Sequence, residues 1–151
     1  MAQTVLSTPI GPVTLYEEEG TLVRLRFGDH GGKDATPLLA EAERQLTEYF
    51  AGKRREFHLP LNPQGTAFQR RVWTELTKIP YGTAISYRDL ALHADCPKGF
   101  QAVGQANGKN PLAIFIPCHR VIAADGTLGG YAGGLEAKKT LLNLENIPFR
   151  V

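Results

Sequence analysis

Apolar and polar residues alternate in three short runs near the N-terminus, 3–8, 13–18 and 21–27, and a period of two predicts half-buried β-strands. Pro9-Ile10-Gly11-Pro12 and Glu19-Gly20 are turn sequences between them, so the expected arrangement is an antiparallel meander. The period then lengthens. Leu39, Ala42, Leu46 and Phe50 recur at helical spacing behind Thr36, a capping residue, and Pro37, the favoured first helical position, and Gly52 stops the run. Phe57-His58-Leu59 reads as a returning strand. Residues 1–60 are therefore expected to be a small α/β domain, an antiparallel sheet plus a helix.

Pro60-Leu61-Asn62-Pro63-Gln64-Gly65 has the composition of a connection, giving a linker at 61–65 and a second domain over 66–151. Residues 66–78 predict an amphipathic helix with Phe68, Val72, Trp73, Leu76 and Ile79 inward and Arg70, Arg71 and Lys78 outward, ended by Pro80-Tyr81-Gly82. Ser86 with Asp89 three residues on is a capping-box variant that opens a short helix through Leu90, Ala91 and Leu92. A second short helix follows Pro97, from Lys98 to about Gly108. Two short helices joined by Asp95-Cys96-Pro97 suggest a helix-turn-helix. Residues 120–131 read as a hairpin around Ala124-Asp125-Gly126. A last helix begins near Gly134, with Lys138, Leu141, Leu142 and Glu145 on one face. Glu145 thus falls on the apolar side, in a last turn where a carboxylate opposes the helix dipole. It is either a frayed, solvated terminus or a buried acid placed to orient a polar partner.

The candidate chemistry concentrates in Ile114-Phe115-Ile116-Pro117-Cys118-His119-Arg120-Val121-Ile122. The β-branched runs on both sides predict short buried strands, with Cys118 at a strand end or turn between stiff neighbours. A free cysteine is commonly just a small buried hydrophobe. Adjacent side chains in extended backbone also point to opposite faces, so Cys118 and His119 are expected to couple through a water rather than directly.

Composition narrows the classes. An apolar fraction of 42% and a charged fraction of 21% are ordinary globular values. Met1-Ala2-Gln3-Thr4 does not open a signal peptide, and no apolar run approaches the roughly 20 residues of a membrane span, so a cytoplasmic or nuclear protein with no membrane partner is expected. Cys96 and Cys118 are the only cysteines, and His30, His58, His93 and His119 lack ligand spacing, so neither metal nor cofactor is expected. The net charge of +2 hides an asymmetry. Residues 1–64 carry seven Lys and Arg against nine Asp and Glu, whereas residues 65–151 carry ten against six. The second half is the candidate for a polyanionic partner.

Six separated blocks then fall into one known order and spacing: Gly65-Thr66-Ala67-Phe68-Gln69 with Val72-Trp73, Ile79-Pro80-Tyr81-Gly82-Thr83 with Ser86-Tyr87, Ala102-Val103-Gly104, Asn110-Pro111, Ile116-Pro117-Cys118-His119-Arg120-Val121, and Gly130-Tyr131-Ala132-Gly133-Gly134-Leu135. In these the chain resembles the O6-alkylguanine-DNA alkyltransferases, over more than half its length. The resemblance implies a ribonuclease-H-like α/β domain followed by a mostly α winged helix-turn-helix domain, acting as a monomer on double-stranded DNA that contains alkylated bases. It implies DNA repair by irreversible transfer of the alkyl group of O6-alkylguanine, with O4-alkylthymine a further substrate, to Cys118. His119, through a water, and Glu145 would complete the proton network, Tyr87 would act at the flipped nucleotide, and Asn110 would hold the second helix against the active-site loop. Tyr131, Ala132, Val121 and Asn107 fall to substrate binding. Lys98, Phe100, Gln101, Ala102, Arg88 and Arg70 fall to DNA contact.

The chemistry agrees with the resemblance. Displacing guanine from an alkyl carbon calls for a soft anion, and a thiolate forms at neutral pH only where its surroundings lower the usual pKa of about 8.5. The chain departs from the family at one place, because the arginine that enters the base stack from the second helix is replaced by Gln101, with Phe100 beside it where a small residue is usual. Gln101 is accordingly expected to serve as a neutral wedge. Two other readings remain, a winged-helix DNA-binding module and a lesion-recognition protein without transfer. Proteins of the latter kind lack the cysteine.

Overall fold

The computed structural model describes every residue, Met1–Val151, and the chain divides into two compact units, Met1–Gln64 and Gly65–Val151. In the first unit β1 (Ala2–Leu6), β2 (Val13–Glu18) and β3 (Thr21–Phe27) form a three-stranded antiparallel sheet in sequence order, with Leu6 opposite Val13 and Leu15 opposite Leu25. The first strand stops short of residue 8 because Thr8 builds the turn itself. Its hydroxyl donates to the Gly11 carbonyl (2.6 Å) and accepts from the Ile10 N–H (3.1 Å). Helix α1 (Pro37–Phe50) packs on the sheet, and the Thr36 side chain caps it by accepting from the Leu39 N–H. Its buried stripe is Leu39, Ala42, Leu46 and Tyr49 rather than Phe50, which is half-buried; the Tyr49 ring meets Phe57 at 5.3 Å.

The strand expected at Phe57-His58-Leu59 is absent. The buried Gln45 holds this segment instead: its amide donates to the His58 carbonyl (3.2 Å) and accepts from the His58 N–H (2.9 Å). One glutamine thus satisfies both backbone groups that a neighbouring strand would have paired. Residues 60–62 then run beside β3, with the Leu22 N–H donating to Pro60 and the Asn62 N–H to Leu22.

The second unit is mostly helical. Helix α2 (Ala67–Leu76) starts at a full capping box, Thr66 with Gln69, and buries Val72, Trp73 and Leu76. Phe68 stays half-buried with the Arg71 guanidinium 5.5 Å from its ring centre. Helix α3 (Tyr87–His93) opens at the Ser86/Asp89 capping box and buries Leu90 and Ala91, leaving Leu92 exposed. Helix α4 (Phe100–Gly108) begins two residues later than expected because Pro97 and Lys98 form a turn. The pair makes the helix-turn-helix, and the Trp73 indole N–H donating to the Ala106 carbonyl (2.7 Å) locks α4 onto α2.

Two expectations around Cys118 fail together. Residues 112–116 are not a strand but a buried turn, with Ile114 at φ +77°. Asn110 closes it, accepting from the Leu112 N–H (2.9 Å) and donating to the Ile116 carbonyl (2.8 Å). A left-handed β-branched residue costs about 1–3 kcal/mol, which persists only where the surroundings over-determine it. Beyond it, β5 (Val121–Ile122) pairs in parallel with β4 (Ile85–Ser86), not as a hairpin with 128–131. A tight turn does close at Ala123 and Thr127, but beyond it the carbonyls of Leu128 and Gly130 accept from the Lys138 ammonium instead of from a strand partner. Lys138 projects from α5 (Leu135–Leu144), whose buried face is Ala137, Lys138, Leu141 and Leu142. No helix is long and apolar enough to cross a membrane.

Because Gln45 replaces a strand, truncating it leaves two backbone groups of His58 unpaired. The expected cost of Gln45→Ala is about 2 kcal/mol, read as a lower urea midpoint at unchanged m-value.

Candidate active site

Cys118, His119 and Arg120 form a single 3₁₀ turn at the end of the loop that Asn110 closes. All three are buried. The Asn110 amide beside Cys118 favours the thiolate, and the Lys138 charge acts in the same direction. Burial outweighs both and pushes the Cys118 thiol up to about 11. At neutral pH roughly one such thiol in ten thousand would ionise unaided, so the site needs a base.

His119 is fully buried, and its Nε2 lies 2.7 Å from Glu145 Oε2. A carboxylate only accepts, so Nε2 carries the hydrogen and Nδ1 keeps its lone pair. Nδ1 is buried and has no hydrogen-bond partner in the protein. Burial lowers the His119 pKa, Glu145 opposes this, and Arg120 and Lys138 add to the lowering, so the ring is a neutral base at pH 7.

Glu145, 2% exposed, is no frayed terminus. Besides His119 it accepts from Arg120 Nε on Oε1 (2.8 Å), Arg120 Nη2 on Oε2 (3.1 Å) and the Gly82 N–H on Oε1 (3.0 Å). The forked guanidinium matches the carboxylate and pays for its burial at the unfavourable end of α5. Arg120 Nη1 also donates to the Ile79 carbonyl (2.8 Å), and its guanidinium lies 5.7 Å from the Tyr81 ring centre. The turn after α2, the catalytic turn and the end of α5 are thereby tied at one carboxylate.

For Tyr87, the first residue of α3, burial raises the pKa and the nearby Gly130 backbone opposes the rise. Tyr87 presses on Gly129, where a Cβ would lie 2.7 Å from the Tyr87 hydroxyl oxygen; the φ of +68° at that residue also excludes most side chains. Tyr131 is raised well above its ordinary value by burial and, like Tyr87 and Lys138, is coupled electrostatically to Cys118. Three titratable groups therefore surround one sulfur.

The structure thus gathers Cys118, His119, Glu145, Asn110, Tyr87 and Tyr131. Val121 is buried in β5, Asn107 is buried on α4 with its Oδ1 unpartnered, and Ala132 is exposed in the loop before α5. Arg70, Arg88, Lys98, Phe100, Gln101 and Ala102 are exposed. Sequence reasoning gave no role to Arg120, although an arginine directly after His119 inside an apolar run is itself a signal. Nor did it give one to Lys138, fully buried with its ammonium on the carbonyls of Val121 (2.7 Å), Leu128 (2.5 Å) and Gly130 (3.1 Å). Burial brings Lys138 down to about 8, still protonated at neutral pH.

Comparison with known proteins gives a consistent picture. Residues 1–63 match the family described as "6-O-methylguanine DNA methyltransferase, ribonuclease-like domain", and residues 67–147 match "6-O-methylguanine DNA methyltransferase, DNA binding domain". The constitutive methylated-DNA–protein-cysteine methyltransferase of Bacillus subtilis is 46% identical, over 97% of this chain and 96% of that protein. The crystal structure of Mycobacterium tuberculosis OGT in complex with DNA superposes with a TM-score of 0.89 at 42% identity, over 96% of this chain and 92% of that one. Schizosaccharomyces pombe Atl1, solved with damaged DNA containing O6-carboxymethylguanine, matches 56% of this chain at 28% identity and a TM-score of 0.50. With both units matched in order and relatives above 40% identity along nearly the whole length, the chain belongs to the 6-O-methylguanine DNA methyltransferase family.

Proposed function

We propose that this protein repairs DNA by direct damage reversal, moving the alkyl group of O6-alkylguanine onto Cys118 in one irreversible step. The observation that carries this reading is the division of labour on His119. Glu145 occupies Nε2, so the lone pair of Nδ1 is free to draw a proton from the buried thiol through a bridging water.

The step balances as a displacement. Cys118 Sγ loses its proton toward His119 and attacks the alkyl carbon; the S–C bond forms as the C–O6 bond breaks, and the departing guanine takes up one proton. Asn110 and Lys138 favour the thiolate. The Tyr87 hydroxyl and the backbone N–H groups of Ala132 and Gly133 supply donors toward the leaving base, that of Gly134 being bound to the Tyr131 carbonyl. The product is a thioether, and the one other thiol, Cys96, sits in the turn between α3 and α4. No thiol is there to resolve the thioether, so each molecule acts once.

The target atom lies inside the duplex, so the nucleotide must be swung out, at a cost of a few kcal/mol. The helix-turn-helix presents the exposed Arg88, Lys98, Gln101 and Ala102 for this, with Arg70 on α2 as a further cation. Double-stranded DNA carrying alkylated bases is the partner, O4-alkylthymine is a second substrate, the monomer is the working unit, and the site of action is the cytoplasm or nucleus, wherever the genome lies. A lesion-binding protein without transfer would not need a buried thiol next to a histidine held neutral by a buried carboxylate.

Incubation with an oligonucleotide carrying O6-methylguanine is expected to add about 14 Da to the peptide containing Cys118, one methyl replacing one hydrogen, and nothing to Cys118→Ala. Lesion binding with no mass change in the wild type would sink the transfer reading.

The pH dependence separates the base from the nucleophile. Since His119 is neutral above an already lowered pKa, single-turnover transfer from free O6-benzylguanine is expected to be level around pH 7 and to decline only as Lys138 loses its charge near pH 8. In His119→Phe the thiol must ionise unaided. Its rate is expected to fall by at least about a hundredfold at pH 7 and to climb about tenfold per pH unit toward the thiol pKa. A level profile in a folded His119→Phe would rule out His119 as the base.

A further inference from the structure

Helix α4 carries no charged side chain at all, in contrast to every other helix of the chain. Its exposed surface is Phe100, Gln101, Ala102 and Gln105, with Lys98 just before it. Phe100 is 44% exposed and is the one aromatic among the exposed large apolar residues. A ring left in water at the start of a helix that meets DNA has a use if it is covered on binding.

Its position says by what. Gly104, one turn further along α4, faces Tyr87, since a Cβ there would lie 4.0 Å from Tyr87 Cδ1. Phe100 stands four residues before Gly104, hence on the same flank of the helix and about 6 Å back along its axis. Gln101 is turned about 100° from Phe100, so the two side chains stand on either side of Gly104, Gln101 about 60° and Phe100 about 40° from it. Phe100, the nearer of the two, borders the way to the tyrosine placed at the swung-out nucleotide, and the choice between them falls to their chemistry.

Resting on the repair reading above, we propose that Phe100 is the side chain that enters the base stack and fills the gap the extruded nucleotide leaves. Between stacked bases there is little for an amide to hydrogen-bond. Gln101 would lose its water there without replacement, whereas a phenyl ring loses only unfavourable hydration and gains stacking contact. Stacking on an aromatic face is also indifferent to sequence, as repair of scattered lesions requires. Lys98 and Arg88, both exposed, supply the phosphate contacts that hold α4 in register while the ring goes in. Gln101 remains at the edge of the gap, where the orphaned partner base offers it hydrogen bonds.

The test compares single-turnover rates of wild type, Phe100→Ala, Phe100→Leu and Gln101→Ala on a duplex carrying O6-methylguanine and on free O6-benzylguanine, which needs no extrusion. Phe100→Ala is expected to slow the duplex reaction by at least about tenfold and to leave the free base within about twofold. Phe100→Leu, still an apolar wedge, is expected to restore most of the duplex rate. Equal slowing on both substrates, no slowing on either, or the selective loss appearing in Gln101→Ala instead would overturn the assignment. Absence of wild-type transfer from both substrates would overturn the repair reading itself, a different and recognisable result.

Discussion

One buried carboxylate holds the second unit in its working form. Glu145 accepts from His119, twice from Arg120 and once from the Gly82 backbone. Removing a carboxylate from water costs several kcal/mol, and only a matched guanidinium with further donors recovers that. Because every acceptor site on Glu145 is used, the histidine beside it has a single tautomer and a single orientation. The site's chemistry is therefore a consequence of how a charge was buried: the pairing that makes the fold tolerable also fixes which nitrogen is basic.

The sulfur lives under the opposite tension. Burial alone makes Cys118 a poorer acid than free cysteine, and the groups that favour its anion, Asn110 and Lys138, are also those that hold neighbouring backbone in place. A thiol that is hard to ionise at rest is protected from casual oxidation and alkylation, since reactivity follows the thiolate. For a protein that spends its one nucleophile in a single event, such protection is an advantage. On the function proposed above, reactivity would be released by a relay through His119 rather than stored as a standing thiolate.

Much of this was legible in the sequence, and the exceptions have a common cause. Local rules worked: Thr36 and Ser86 cap the helices they were expected to cap, and the stripe Lys138, Leu141, Leu142, Glu145 is buried as its spacing predicts. What failed were three readings of extended structure, the strands at 57–59 and 114–116 and the hairpin over 120–131. In each, one buried polar side chain from elsewhere takes the backbone groups a ladder would have used: Gln45, Asn110 and Lys138 respectively. Strand propensity reports only that a segment suits a half-buried extended surface. It does not say which partner satisfies the backbone, and side-chain partners distant in sequence leave no periodic trace. The same blindness hid Arg120, whose partners Ile79 and Glu145 lie 41 and 25 residues away.

The single 3₁₀ turn has one more consequence. With three residues per turn, neighbours within it are set about 120° apart, so Cys118, His119 and Arg120 fan outward from a few ångströms of chain, the sulfur toward Asn110 and the next two side chains toward Glu145. Gaining or losing one residue here would swing each group by a third of a circle and misalign all of them at once. Loop 123–127 lies on the surface, closed by a turn and held by the Arg150 N–H on the Gly126 carbonyl (2.8 Å), so a change in its length bears on that contact, whereas a change between Pro117 and Val121 bears on the arrangement itself. The active site is therefore encoded as a fixed count of residues as much as by their identities.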